Sequence, residues 1–161
     1  MKIPILVLCC CFFSVGVFAQ SKKEVKKYRI KSTTEVISDF SGGKESKRYD
    51  SQKKFDKSGN ITEEVNFDKK GNIQTKTVSK YNVDNDKIEE TVFDASGKQM
   101  SREVYKYDVN GEKSEELHYN EANQLESKST YLFDNKGLKT EKKTFDPQGK
   151  LLQIKKYVYG Y

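Results

Sequence analysis

The chain has 161 residues, of which 34% are hydrophobic and 34% charged, and its 30 basic and 24 acidic side chains give a net charge of +6. Such a small apolar fraction argues against a thick hydrophobic core. Acidic and basic residues are interspersed, which is typical of a solvated surface and does not predict nucleic-acid binding. Weak attraction to acidic polymers or an anionic membrane surface stays open.

The N-terminal segment has the parts of a secretory signal. Lys2 supplies positive charge, residues 3–18 are mostly apolar, and Val17-Phe18-Ala19 predicts cleavage between Ala19 and Gln20. Two alternatives are a membrane anchor, for which the run is short, and a lipoprotein modified at Cys9, Cys10 or Cys11. We therefore expect residues 1–19 to be a signal peptide, and the protein to be secreted, periplasmic or outer-membrane-associated, with no transmembrane segment after cleavage.

All three cysteines lie inside this predicted signal. Its removal excludes disulfides, thiolate metal sites and cysteine nucleophiles together. We therefore expect packing and hydrogen bonds alone to hold the mature chain together.

Residues 20–54 precede the regular part of the chain. Tyr28 and Phe40 are 12 residues apart, but Phe40 and Phe55 are 15 apart, one residue out of step with the spacing of the later aromatics. We interpret Ser41-Gly42-Gly43 as a turn with an inserted bulge residue, and expect two or three strands here.

An internal repeat fills residues 55–161. Phe55-Asp56-Lys57-Ser58-Gly59-Asn60-Ile61 returns as Phe67-Asp68-Lys69-Lys70-Gly71-Asn72-Ile73. The leading aromatic recurs in alternating steps of 12 and 14 residues, so the full period is 26. The nine motif aromatics are Phe55, Phe67, Tyr81, Phe93, Tyr107, Tyr119, Phe133, Phe145 and Tyr159.

The motif has the chemistry of a tight hairpin. Asp suits the first position of a type I turn, and Gly or Asn three residues later tolerates the left-handed conformation that closes a bulged hairpin. The segments between turns are rich in Thr, Val, Ile and Tyr, as strands are. This register places Phe55 opposite Ile61, Phe67 opposite Ile73 and Tyr119 opposite Leu125.

The sequence therefore predicts an all-β fold, an antiparallel up-and-down meander of about 9–11 strands. Residues 20–54 continue into it as one domain. Counting an even number of residues between motif aromatics predicts that all nine lie on one face, in two rows at opposite ends of the strands. Neither face is cleanly hydrophobic, which favours a curled or single-layer sheet. The alternative is a small closed β-barrel.

The unit resembles the YD repeats of RHS-type bacterial surface proteins and, more loosely, the MORN-like variant repeats of secreted bacterial proteins. Tyr107-Asp108-Val109-Asn110-Gly111 and Phe133-Asp134-Asn135-Lys136-Gly137 are close to that pattern. The resemblance implies hairpins that wind into a curved sheet acting as a scaffold or binding surface. Long members of the RHS type enclose a toxin, for which this chain is too short.

Catalytic and metal-binding chemistry find little support in the sequence. His118 is the only histidine, and alternation predicts that it points away from the aromatic face, so we expect a solvated strand residue and no transition-metal site. The turn aspartates could suggest calcium, but turn formation accounts for each of them. Carboxylates predicted on the aromatic face could suggest a glycosidase cleft, but they recur with the repeat: Glu63, Glu103, Glu115 and Glu141.

We therefore expect a protein that is not an enzyme and needs no cofactor. The preferred hypothesis is an envelope or extracellular protein whose aromatic ladders form an extended binding or structural surface for a glycan, a protein or its own copies. The alternative is a small barrel that carries an apolar ligand in its interior.

Overall fold

The computed structural model describes residues 21–160, which form one short helix and a single ten-stranded sheet. The strands follow one another in chain order, each antiparallel to the last, which confirms the predicted meander. The helix is α1 (Lys22–Tyr28), and the strands are β1 (Ser32–Asp39), β2 (Ser46–Phe55), β3 (Ile61–Phe67), β4 (Ile73–Tyr81), β5 (Lys87–Asp94), β6 (Gln99–Tyr107), β7 (Lys113–Tyr119), β8 (Leu125–Phe133), β9 (Lys139–Phe145) and β10 (Leu151–Lys156).

The sheet is open, and β1 and β10 are its two edges. The closed barrel that the sequence left as an alternative is therefore wrong. Among the described residues only Val25 and Tyr131 are buried hydrophobic side chains, whereas Ser51, Asn60, Ser79, Thr91 and Ser129 are buried and polar. Most strand side chains are half-buried, as expected for a single layer with water on both faces.

The turns have the predicted geometry. In the first repeat the amide of Gly59 donates to the carbonyl of Asp56, and the amide of Asp56 donates to the carbonyl of Asn60. The Asp56 carboxylate accepts from the amides of Ser58 at 2.8 Å and Asn60 at 2.9 Å. The residue three after the turn aspartate or asparagine has positive φ in every copy: Gly59, Gly71, Asn85, Gly97, Gly111, Asn123, Gly137 and Gly149.

The predicted pairs across these turns are confirmed, since Phe55 lies opposite Ile61, Phe67 opposite Ile73 and Tyr119 opposite Leu125. In each hairpin the register shifts by one residue between this pair and the next pair along the strands. After Phe67 and Ile73, the next pair is Asn66 with Thr75, so β4 contains one extra residue at the turn. A bulge of this kind places two residues of one strand opposite one of the other.

These bulges correct the prediction that all motif aromatics share one face. Val65 pairs with Lys76, so Phe67, two residues from Val65, lies on the face of Lys76 and Val78. Tyr81 alternates with Lys80 and lies on the opposite face, with Thr77 and Ser79. The prediction assumed that side chains alternate between the faces without interruption. Each bulge interrupts this alternation by one residue, so neighbouring motif aromatics lie on opposite faces.

We name the two surfaces by the aromatics they carry. The first face carries row one, which is Phe55, Tyr81, Tyr107, Phe133 and Tyr159. The second face carries row two, which is Phe67, Phe93, Tyr119 and Phe145. Two hairpins, and hence two bulges, restore both the face and the end of the strand, so the 26-residue period repeats both rows.

The N-terminal region differs from the prediction. It contains two strands, but α1 precedes them, with Ser21 and Glu24 forming a capping box at its start. This helix was not predicted from the sequence, although Ser21 and Glu24 have the spacing of a capping box. In the β1–β2 pair, Glu35 lies opposite Ser51 and Val36 opposite Tyr49, so Asp50 in β2 is an inserted residue. The insertion therefore lies within a strand and not in the turn at residues 41–43, where the sequence predicts it.

The predicted signal peptide and its cleavage site lie outside the described residues, so cleavage stays a prediction. Among residues 21–160, no helix is long and apolar enough to cross a bilayer.

Candidate functional surface

Row one is anchored through its tyrosine hydroxyls. Tyr81, Tyr107 and Tyr159 donate hydrogen bonds of 3.0, 2.8 and 2.7 Å to the carbonyl oxygens of Ile61, Lys87 and Lys139, respectively. Each acceptor lies 20 residues earlier, at the start of the neighbouring strand. The hydroxyl thus holds its ring across two strands, against the surface of the first face.

The rings of row one are not covered by cations. Within residues 21–160, the cation–ring contacts of the first face fall on a second aromatic column, Tyr105, Tyr131 and Tyr157. The Lys113 ammonium lies 4.1 Å from the Tyr105 ring centroid, and the Lys139 ammonium lies 4.4 Å from that of Tyr131. A lysine therefore lies over each of the Tyr105 and Tyr131 rings, whereas within residues 21–160 no cation lies over a row-one ring. The row-one rings are half-buried, except for the exposed Tyr159.

The interior of the first face is a polar network. The Glu116 carboxylate accepts from the Tyr131 hydroxyl at 2.7 Å and pairs with Lys142 at 3.1 Å and Lys113 at 3.2 Å. Burial acts to raise the pKa of Glu116, but these hydrogen bonds outweigh it and hold the pKa below its usual range. Burial and the Glu116 contact raise the pKa of Tyr131 to about 12. The network therefore keeps its charges paired at neutral pH.

A groove lies over the start of row one. Phe55, Tyr81 and Tyr107 line it, and Lys22 of α1, Lys87 and Asp86 contribute polar groups at its rim. It is a shallow groove of about 450 Å³ that is largely open to solvent. Helix α1 borders this groove because Lys22 contacts the turn at Gly59.

The second face is a regular ionic surface. Glu63, Glu89 and Glu115 each lie between two cations, as in the pairs of Lys54 and Lys76 with Glu63, both at 2.8 Å. The guanidinium of Arg102 covers the Tyr119 ring at 4.2 Å. The Tyr49 and Phe67 rings make a tilted contact at 5.8 Å. Row two is therefore in part occupied by its neighbours.

The carboxylates that we expected on one aromatic face are divided between the two. Glu103 lies on the first face, whereas Glu63, Glu115 and Glu141 lie on the second, because the bulges reverse the alternation. His118, expected to point away, pairs with Glu103 and lies on the first face, with its Nδ1 3.7 Å from the carboxylate. No group of three or more His, Cys, Asp or Glu within residues 21–160 is placed to hold a metal ion.

The distinction between the two rows was missed in the sequence, although a signal for it was present. Three of the five row-one aromatics are Tyr, whereas three of the four row-two aromatics are Phe. A hydroxyl that recurs at one half of a repeat indicates a fixed acceptor on that face.

No protein-family model and no curated protein sequence matches the chain. Among solved structures it is similar to S. aureus TarM, in two crystal structures with TM-scores of 0.31 and 0.32 and 18% and 17% identity. These matches cover 83% of this chain but only 22% and 23% of the TarM chains.

It is also similar to BF3112 from Bacteroides fragilis, a protein with unknown function, with TM-score 0.45, 14% identity and coverage of 81% and 96% of the two chains. A fourth match is a Photorhabdus luminescens Tc holotoxin pore, with TM-score 0.27, 12% identity and coverage of 75% and 9%. All of these TM-scores are below 0.5.

Proposed function

We propose that this is a non-catalytic protein of the bacterial envelope or extracellular space whose first face is an extended contact surface, and that its ligand is a glycan chain. The predicted signal peptide supports the location. The resemblance to YD repeats supports a scaffold or binding role.

The uncovered rings of row one carry the proposal. Rings that recur every second strand are about 9.5 Å apart, because neighbouring strands are about 4.7–4.9 Å apart. That spacing is close to the length of one disaccharide in an extended β-1,4-linked polysaccharide. The apolar face of a pyranose ring stacks on the electron-rich face of an aromatic ring. Because hydrogen bonds already hold the tyrosine rings in place, little side-chain entropy is lost when a ligand binds to them. Each ring can then add a small contribution to a contact that repeats along the glycan.

The ligand should be a soluble single chain. β-Sheets twist, so successive rings of row one turn relative to one another, and a flexible chain can follow them whereas a flat crystalline surface cannot. Several lysines of the first face, Lys87, Lys113 and Lys142, are already paired with carboxylates, which favours a neutral glycan over a strongly charged one.

Affinity electrophoresis in gels that contain single soluble polysaccharides tests the proposal. We expect at least one extended β-1,4-linked polysaccharide to slow the protein. A Tyr81→Leu, Tyr107→Leu double variant should lose most of this retardation. Tyr107→Phe keeps the ring and should bind nearly as well. Phe93→Leu is the matched control, since it removes an aromatic from the second face.

Retardation by none of the polysaccharides would refute the glycan proposal. Equal losses in the Tyr double variant and in Phe93→Leu would place the contact elsewhere than on row one. Capture of an envelope protein that depends on Tyr81 and Tyr107, in the absence of glycan binding, would show a protein partner instead.

A further inference from the structure

The ionic pattern of the second face breaks in its last copy. Glu141 occupies the same position of the 26-residue repeat as Glu63, Glu89 and Glu115. The cations that flank the earlier glutamates are Lys54 and Lys76, Lys80 and Arg102, and Lys106 and Lys128. At the corresponding places beside Glu141 the chain has Leu132 and Ile154.

This break leaves an apolar patch at the edge of the sheet. Leu132 is 55% exposed and Ile154 45% exposed, and Leu151 and Leu152 are exposed beside them. All except Leu132 lie on β10, whose outer backbone groups pair with no strand within residues 21–160. An apolar edge strand with unpaired backbone groups is a template for another strand.

The opposite edge complements β10. Strand β1 carries Glu35 and Asp39 and no basic residue, whereas β10 carries Lys155 and Lys156 and no acidic residue. Near the β1 edge, Val36 and Tyr49 lie opposite each other on the second face, and both are exposed. With ten strands in a meander, β1 and β10 run in opposite directions. A second copy placed beside β10 in the same orientation therefore continues the antiparallel order.

We propose that β10 of one copy pairs with β1 of a second copy, so that the sheet continues from one molecule to the next. Such pairing satisfies the free backbone groups and brings the apolar patch beside Val36 and Tyr49. Two β10 edges are less complementary, because β10 has no acidic residue and a second β10 offers Lys155 and Lys156 no carboxylate. A head-to-tail contact that does not close gives an open series of oligomers.

The chain itself supplies the test variant. Leu132→Lys with Ile154→Lys restores the pattern of the other three copies, so it should keep or raise the thermal stability while reducing association. Met100→Lys adds one lysine at an exposed apolar residue away from both edges and is the control for added positive charge. We expect sedimentation velocity to show concentration-dependent oligomers for the wild type and Met100→Lys, and at least a tenfold weaker association for the double variant.

A second variant, Glu35→Gln with Val36→Lys, modifies only β1. Each of the two edge variants should be monomeric alone, and their mixture should form a dimer that grows no further, since only one compatible pair of edges remains. A wild type that stays monomeric at its highest soluble concentration would overturn the proposal. Dimers formed by the β1 variant alone would show pairing of two β10 edges and would also overturn it. Both outcomes leave the first-face glycan proposal untouched, because its test variants lie on row one.

Discussion

The Tyr107 hydroxyl donates a 2.8 Å hydrogen bond to the carbonyl oxygen of Lys87, which begins the neighbouring strand. The same bond recurs 26 residues earlier, from Tyr81 to Ile61. At the next place in the row, Phe133 has no hydroxyl to reach the carbonyl of Lys113. Equivalent positions of the repeat therefore include two that make this hydrogen bond and one that lacks the hydroxyl to make it.

This relationship predicts opposite effects at two equivalent sites. Tyr107→Phe should lower the free energy of unfolding by about 0.5–1.5 kcal/mol, the net contribution of one hydrogen bond. Phe133→Tyr should raise it by up to a similar amount, because the added hydroxyl has the carbonyl of Lys113 as its acceptor. Urea unfolding of both variants measures the effects, and a neutral Tyr107→Phe together with a destabilising Phe133→Tyr would contradict the assigned role.

The turns predict a graded series at their glycines. Gly111 has φ +79° and open space around it, so Gly111→Val should cost about 1–2 kcal/mol or more through backbone strain alone. Gly111→Asn should cost less, because Asn85 and Asn123 adopt the same conformation at φ 69° and 58°. Thermal melting compares the two, and equal small effects would show that the left-handed conformation is not required.

Gly59 offers a sharper comparison within the same series. A Cβ atom there would come within 2.7 Å of the backbone carbonyl oxygen of Lys22. Gly59→Asn should therefore destabilise the protein more than Gly111→Asn, because α1 must shift as well. Equal melting temperatures for these two Asn variants would mean that α1 does not pack against this turn.

The second face predicts loss of stability in acid. Hydrogen bonds from Lys54, Lys80 and Lys106 are the largest causes that hold the pKa values of Glu63, Glu89 and Glu115 below their ordinary range. A folded pKa below the unfolded value gives stability that is present above about pH 4.3 and is lost as the pH falls through the folded pKa. Thermal melts between neutral and acidic pH should show this decline.

Replacing all three glutamates by Gln should flatten that decline, whereas Glu121→Gln at an exposed turn should leave its shape unchanged. Added salt should reduce the difference at neutral pH, since these pairs are partly exposed and screened. An unchanged acid profile in the triple variant would show that the ion pairs contribute nothing to folding.

Much of the fold could be predicted because the turn residues recur at fixed positions of the repeat. The aspartate and glycine of each motif fix a bulged hairpin, so strand order and the pairs Phe55–Ile61 and Phe67–Ile73 follow from residue spacing alone. The face of each side chain did not follow. One extra residue beside each turn reverses the alternation, and its effect is visible only in the next pair, such as Asn66 with Thr75.

The candidate surface was less predictable for the same reason. Tyr105 and Tyr107 alternate with Lys106 and share the first face, but only coordinates show that Lys113 covers the Tyr105 ring. Helix α1 was missed because its seven residues carry one buried side chain, Val25, and no apolar periodicity. The capping box formed by Ser21 and Glu24 was the sequence signal available for it.

The central claim is that the molecule is a sheet with a 26-residue repeat, in which two hairpins restore both faces. Deletion of residues 81–106 tests it most directly, since it joins Lys80 to Tyr107 and places Tyr107 where Tyr81 was. Both rows and both faces survive, as nearest-neighbour repeat architecture allows.

Deletion of residues 81–93 removes one strand and one hairpin, so every later strand reverses direction and the later members of each row move to the other end of the sheet. Circular dichroism with thermal melting, run on the two variants side by side, should show a β-rich, cooperatively melting protein for the 26-residue deletion and a much less stable one for the 13-residue deletion. Equal stability of the two variants, or failure of both to fold, would contradict the repeat.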